Sequence, residues 1–161
     1  IANVDEDSTK NGNNYSKKIC DLGLTKGIST IIMSAKLEAE ISEITDIVER
    51  KEFLNALNLE VSGLEKLTKA GYNLLKLITY FTAGPKEVRA WTIKKGTIAK
   101  DAAGKIHNDF SRGFIAAETI AYNDYIVLGG EQKARENGSI RTEGKEYIVI
   151  DGDIIVFRFN V

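Results

Sequence analysis

The apolar residues of this chain change their period near residue 78, and that change divides it in two. Before it, Tyr15, Ile19 and Leu22 recur at helical spacing until Gly23 and Gly27 stop the pattern. Leu37, Ile41, Ile44 and Val48 fall at i, i+4, i+7 and i+11, one face of a single helix. After it, Ile78 to Ala83 and Val88 to Ile93 read as strands around Gly84-Pro85, a hairpin signal. The expected boundaries are therefore residues 1–77 and 78–161.

The first part alternates strands and helices. Ile1 to Asn3 reads as the end of a buried strand running into a polar loop, with Asn13 or Asn14 capping the Tyr15 helix. A lone strand has no partner, so the start suggests a chain whose upstream sequence is missing. Ser29 to Met33 is a second, β-branched strand. Arg50 to Asn58 is a short helix carrying Phe53, Leu54 and Leu57. Ser62-Gly63-Leu64-Glu65 is a capping box opening a helix that should bury Leu64, Leu67, Gly71, Leu74 and Leu75.

In the second part, Thr97 should cap a helix with Ile98, Ala99, Ala102, Ala103 and Ile106 on its apolar face. Gly113 to Tyr122 reads as a strand, and Glu131 to Asn137 as a short helix or loop ended by Gly138. Tyr147 to Ile150 and Ile154 to Phe159 flank Asp151-Gly152-Asp153, another hairpin signal. Strand pair, helix, then more strands is an α+β order that fits a β-grasp sheet wrapped on one helix.

Composition excludes several classes. Hydrophobic residues make up 43% and charged residues 28%, values of an ordinary globular chain. No run of about 18 apolar residues occurs, so no transmembrane helix is expected. Cys20 is the only cysteine, so no intrachain disulfide can form, which fits a reducing compartment. One cysteine and one histidine, His107, argue against zinc. Asp5, Glu6 and Asp7 lack the spacing of a calcium loop. The net charge of −1 gives no global attraction to nucleic acid or membrane.

Locally the charge is uneven. Lys86 to Arg112 holds seven basic residues against three acidic ones, interleaved with Trp91, His107 and Phe110. Lysines and arginines neutralise phosphates and aromatic faces stack on bases, so Lys94, Lys95, Lys100, Lys105 and Arg112 are candidate RNA contacts. The bland alternative is a solvated surface with Trp91 in the core. His107, at the end of the Thr97 helix, reads as a structural or partner-facing residue and Cys20 as packing.

Two short motifs follow the first two strands: Asn3-Val4-Asp5-Glu6 and Ser34-Ala35-Lys36. In open α/β sheets ligands bind beyond the carboxyl ends of strands. The pair resembles the Asn-Lys-x-Asp and Ser-Ala-Lys loops with which guanine-nucleotide proteins hold the base. Here Val4 stands in the lysine place and Glu6 in the aspartate place. Adenine presents an acceptor where guanine presents a donor, so losing the usual carboxylate contact should relax guanine preference and admit adenine.

A resemblance spans the whole chain. Besides those motifs, it is carried by Leu37-Glu38-Ala39-Glu40, Ser62-Gly63-Leu64, Ala70-Gly71-Tyr72 and the long run from Leu77 through Gly84-Pro85-Lys86 to Trp91-Thr92. Ile106-His107-Asn108-Asp109-Phe110, Gly129-Gly130-Glu131 and Asp151-Gly152-Asp153 complete it. The chain resembles the C-terminal part of the YchF/Obg-like P-loop ATPases. The resemblance implies an α/β remnant of a P-loop G domain over 1–77, then an α+β β-grasp TGS domain over 78–161.

It also implies a cytoplasmic, ribosome-associated hydrolase of ATP, and also of GTP, with Mg2+. Asn3 would flank the base, Val4 would offer its carbonyl to an adenine amino group, Glu6 would be the changed specificity position, and Ser34, Ala35 and Lys36 would line the other side. No G-x-x-x-x-G-K-[ST] sequence occurs, so no catalytic residue is expected in this chain and no bound nucleotide or metal. The alternative is a non-catalytic TGS-type module that binds ribosomal RNA or protein.

Overall fold

The computed structural model describes residues 1–84 and 87–160. It divides into two compact units, Ile1–Asn73 and Leu74–Val161.

In the first unit, β1 (Ala2–Asn3) pairs in parallel with β2 (Ile32–Met33), Ala2 opposite Ile32 and Asn3 opposite Met33. Of the stretch expected as a strand from Ser29, only Ile32–Met33 joins the ladder. Between them runs α1 (Asn14–Lys26). Asn13 caps it: its side chain accepts the Tyr15 and Ser16 N–H groups, while Ser16 Oγ accepts the Asn13 N–H at 2.8 Å. Gly27, at φ 64°, closes its C-terminus.

The face of α1 that packs is not the apolar one expected. Ser16 and Gly23 are buried, whereas Tyr15, Ile19 and Leu22 are exposed. At Gly23 the lack of a side chain is required because the helix lies close to the segment that follows it. A Cβ on Gly23 would sit 2.5 Å from the Thr30 side chain and 2.8 Å from the Ile28 carbonyl.

The expected continuous helix through Val48 is broken. α2 (Ala35–Glu43) ends before Ile44, which is extended, and α3 (Ile47–Ala56) starts anew. Asp46 causes the restart by accepting the Val48 and Glu49 N–H groups at 2.8 and 2.9 Å. Leu37 and Ile41 thus stay buried with Leu59, against Phe53 and Leu54, while Val48 is exposed.

α4 (Gly63–Leu75) has only half of the expected capping box. Ser62 Oγ accepts the Glu65 N–H at 3.1 Å, but the first two N–H groups of the helix go to Glu38 of α2. Leu64, Leu74 and Leu75 are exposed, so the expected burial of that stripe does not occur.

The second unit is a five-stranded mixed sheet in the order β4-β3-β7-β5-β6. Its strands are β3 (Leu77–Ala83), β4 (Val88–Lys94), β5 (Phe114–Ile120), β6 (Arg141–Glu143) and β7 (Ile154–Phe159). β3 and β4 pair antiparallel along their full length, as expected. The turn residues Pro85 and Lys86 lie outside the described residues.

α5 (Ala99–Ile106) supplies Ala99, Ala102 and Ala103 to the core beside Ile78, Tyr80, Ile93, Ala117, Ile155 and Phe157. Alanines permit close approach, and the Tyr80 hydroxyl donates to the Ala102 carbonyl at 2.8 Å. Trp91 is half-buried against this core, with its indole N–H on Thr82 Oγ1 at 2.9 Å and the Arg89 guanidinium over its ring.

Asp151-Gly152-Asp153 does not close the expected hairpin. The Tyr147 to Ile150 stretch forms only an isolated bridge, Ile148 to Ile98. The turn is tied to β3 instead: Asp151 Oδ1 accepts the Thr79 N–H, and the Gly152 N–H donates to the Thr79 carbonyl, each at 2.8 Å. β7 therefore leaves the turn parallel to β3 and antiparallel to β5.

Thr97 does not cap α5, because its hydroxyl donates to the Lys94 carbonyl at 2.7 Å and Ile98 takes the cap position. Three short helices complete the unit: α6 (Asn108–Arg112), α7 (Tyr122–Leu128) and α8 (Glu131–Glu136). Tyr122, expected at a strand end, opens α7. His107 ends α5 and caps α6, its Nδ1 accepting the Asp109 N–H at 3.2 Å.

Candidate functional site

The parallel pairing of β1 with β2 puts the two strand-end motifs side by side. Val4 leaves β1 with its N–H on the Met33 carbonyl at 2.9 Å. Asn3 then reaches across, its side-chain oxygen accepting the Ala35 N–H at 2.9 Å. That N–H is one of the unpaired donors at the start of α2, so Asn3 fixes the second motif while Ser34 caps it from within. Ser34 is buried and its Oγ accepts the Leu37 N–H at 3.4 Å.

Glu6 and Lys36 join the two loops a second time. Their side chains form an ion pair, and the Glu6 carboxylate holds the Lys36 ammonium above its usual range. Glu40, one turn further along α2, lies 3.9 Å from the same ammonium. Asp5 turns to Ser8 instead: its carboxylate accepts the Ser8 N–H at 2.9 Å, which shapes the turn that follows, and the Ser8 hydroxyl and then this N–H lower its pKa. Thus Asn3, Val4, Glu6, Ser34, Ala35 and Lys36 come together. Among the described residues, no group donates to the Val4 carbonyl.

The missed residue of this site is Glu38. It sits on α2 one turn past Ser34-Ala35, and both its oxygens accept N–H groups at the start of α4. A signal existed in its acidic character near a helix start, but nothing in the sequence tells which helix an acid 25 residues away will cap.

The basic residues of the second unit are arranged differently. Lys94 ends β4, Lys95 follows it, Lys100 and Lys105 lie on α5 and Arg112 on α6; all five are exposed. Lys100 and Lys105 are five residues apart, so helical geometry turns them about 140° from each other. Arg112 is paired with Asp109 at 2.9 Å. The four lysines make no ion pair among the described residues. No cluster of three metal-binding side chains occurs among them either.

The fold and this loop pair define a mixed α/β protein with two polar loops joined beyond the ends of adjacent parallel strands. The family model YchF-GTPase_C, described as a protein of unknown function (DUF933), matches residues 77–160, just over half of the chain. The chain belongs to this family.

It is 52% identical over 161 residues to the ribosome-binding ATPase YchF of Escherichia coli O157:H7, and 51% identical over 163 residues to that of Bacillus subtilis. In each case all of this chain aligns with 44% of the relative, so the chain spans less than half of the length of the curated relatives it matches. The structure is similar to that of the Schizosaccharomyces pombe YchF GTPase, with a TM-score of 0.83 at 38% identity, covering 98% of this chain and 42% of that one. A GTP-binding protein from Pyrococcus horikoshii shares the fold, with a TM-score of 0.62 at 19% identity over 95% of this chain and 44% of that one.

Proposed function

We propose that this chain is the C-terminal part of a longer YchF-type ATP and GTP hydrolase that works on the ribosome. Residues 1–77 supply the base-recognition end of a P-loop G domain, and residues 78–161 form a TGS domain of β-grasp type. The observation that carries this reading is the double tie between the strand-end loops, Asn3 to Ala35 and Glu6 to Lys36. Loops at the carboxyl ends of neighbouring parallel strands are where open α/β folds bind ligands. The names of the relatives support the activity and the partner.

In this reading Asn3 flanks the purine and Val4 offers its free carbonyl to an adenine amino group. Ser34, Ala35 and Lys36 form the opposite wall. Because Asn3 takes the Ala35 N–H, that donor serves to hold the wall rather than to touch the base. The phosphate cradle and Mg2+ belong to residues outside this chain, since phosphoryl transfer needs a P-loop and a metal that none of these side chains supplies. The protein works in the cytoplasm. A β-grasp reading of residues 78–161 is supported by the five-stranded mixed sheet with α5 against its core.

Calorimetric titration with ATP and GTP tests the reading. The longer protein binds both, Asn3→Ala weakens both, and the 161-residue chain alone binds neither tightly. Submicromolar ATP binding by this chain alone, or an unaltered affinity in the Asn3→Ala protein, overturns it.

A further inference from the structure

Lys36 stands where a cation is locally unfavourable. It lies in the first turn of α2, at the positive end of the helix dipole, where acids are preferred. It is nonetheless held between two carboxylates, Glu6 from the β1 loop and Glu40 from its own helix. Only Glu6 is brought in from another element, the β1 loop that also carries Asn3 and Val4. The pair is exposed, 75% for Lys36 and 43% for Glu6, so it contributes little to fold stability. A local rule broken without a gain in stability points to a site requirement.

We infer that Lys36 is a positioning residue for nucleotide choice: it draws the Glu6 carboxylate onto α2 and neutralises it, so that the base wall presents no free carboxylate. This rests on the base-recognition reading proposed above. A free carboxylate there accepts hydrogen bonds from the guanine N1–H and amino groups, and repels the adenine N1 lone pair. With its charge matched and Oε1 held by Lys36, Glu6 is drawn away from either base, and the Val4 carbonyl is left to select the adenine amino group. The ammonium thus acts through Glu6 and need not touch the nucleotide.

The test measures ATP and GTP affinities of the longer protein by calorimetry, both nucleotides on each preparation, so that any loss of folded protein cancels in the ratio. Lys36→Met frees Glu6 and shifts the GTP-to-ATP affinity ratio toward GTP by about tenfold or more, the scale of one hydrogen bond to a charged group. Lys36→Arg keeps the charge and the parental ratio. The double variant Lys36→Met with Glu6→Gln also returns to the parental ratio, which a merely structural role of Lys36 does not predict. A ratio unmoved by Lys36→Met, or moved toward ATP, overturns the inference while Asn3→Ala still weakens both nucleotides. If Asn3→Ala changes neither affinity, the base-site reading itself fails and takes the inference with it.

Discussion

Glu38 Oε1 accepts the Gly63 N–H at 2.7 Å, and through Oε2 the same side chain also takes the Leu64 N–H, at 2.9 Å. One carboxylate therefore satisfies two of the unpaired donors that open α4 and places a negative charge at the positive end of its dipole. The contact is tight: a Cβ on Gly63 would lie 2.7 Å from Met33 Cβ and 2.8 Å from Glu38 Oε1. Glu38→Ala is expected to lower stability by ~1–2 kcal/mol, the usual cost of removing a helix cap. Gly63→Ala should destabilise as well, by forcing Met33 and Glu38 apart. Urea unfolding of the parent and the two variants measures both effects.

The exposed lysines of the second unit give a prediction about docking. If Lys95 and Arg112 meet ribosomal phosphates, Lys95→Glu and Arg112→Glu in the longer protein proposed above lower co-sedimentation with ribosomes and leave its nucleotide hydrolysis intact. Each neutralised phosphate lost should also flatten the dependence of binding on salt, by about one unit of log–log slope. Binding that is the same at low and high salt removes this electrostatic account.

A buried carboxylate organises the Asp151-Gly152-Asp153 turn. Asp153 is 2% exposed and accepts from the Tyr147 hydroxyl at 2.8 Å and the Ile150 N–H at 2.9 Å, with Arg141 at 3.4 Å. Burial, then the hydrogen bond to Asp153, push the Tyr147 hydroxyl up to about 12. A raised folded-state pKa gives stability that is whole below the unfolded value of about 10 and is lost as pH climbs toward 12. Tyr147→Phe should weaken this alkaline loss. Asp153→Ala should cost ~2–3 kcal/mol near neutral pH by stranding its donors. Thermal melts between neutral and alkaline pH report both.

Glu118 gives the opposite sign at the acid end. Arg158 and then Arg135 hold its carboxyl below the usual range, with contacts of 3.0 and 2.9 Å. This stability is present above the unfolded pKa of about 4.3 and disappears as pH falls through the lower folded value. Glu118→Gln should therefore cost about 1 kcal/mol at neutral pH and nothing in strong acid. Two stability curves that stay parallel down to low pH would contradict the pairing.

Some caps and strand pairs with a local cause were legible, though the Thr97 cap was not, because its hydroxyl turns back to the Lys94 carbonyl. Asn13, Gly27 and the β3–β4 strand pair act within a few residues of themselves, and the sequence marks them. The Leu37 to Val48 stripe misled because period alone cannot see that Asp46 offers a better start to a second helix. The Tyr15–Ile19–Leu22 stripe misled for a different reason. Gly23 packs against Ile28 and Thr30 so closely that a side chain there would clash, and the buried face of α1 is the one that carries Ser16 and Gly23.

Apart from Glu38, the residues of the candidate site were legible as motifs, because strand ends and helix starts carry their own residue types. Their joining was not. Asn3 and Ala35 are 32 positions apart, and Glu6 and Lys36 are 30 apart. Only the parallel pairing of β1 with β2 brings those side chains within reach. The same holds for Glu38 on α4 and for Thr79 on the Asp151 turn, which turned an expected hairpin into a parallel strand. Sequence alone marked most of the helical and extended segments and the residues that carry polar chemistry. Tertiary structure alone set which of them meet, since a hydrogen bond depends on separation in space and a chain's spacing fixes that only within about one turn of itself.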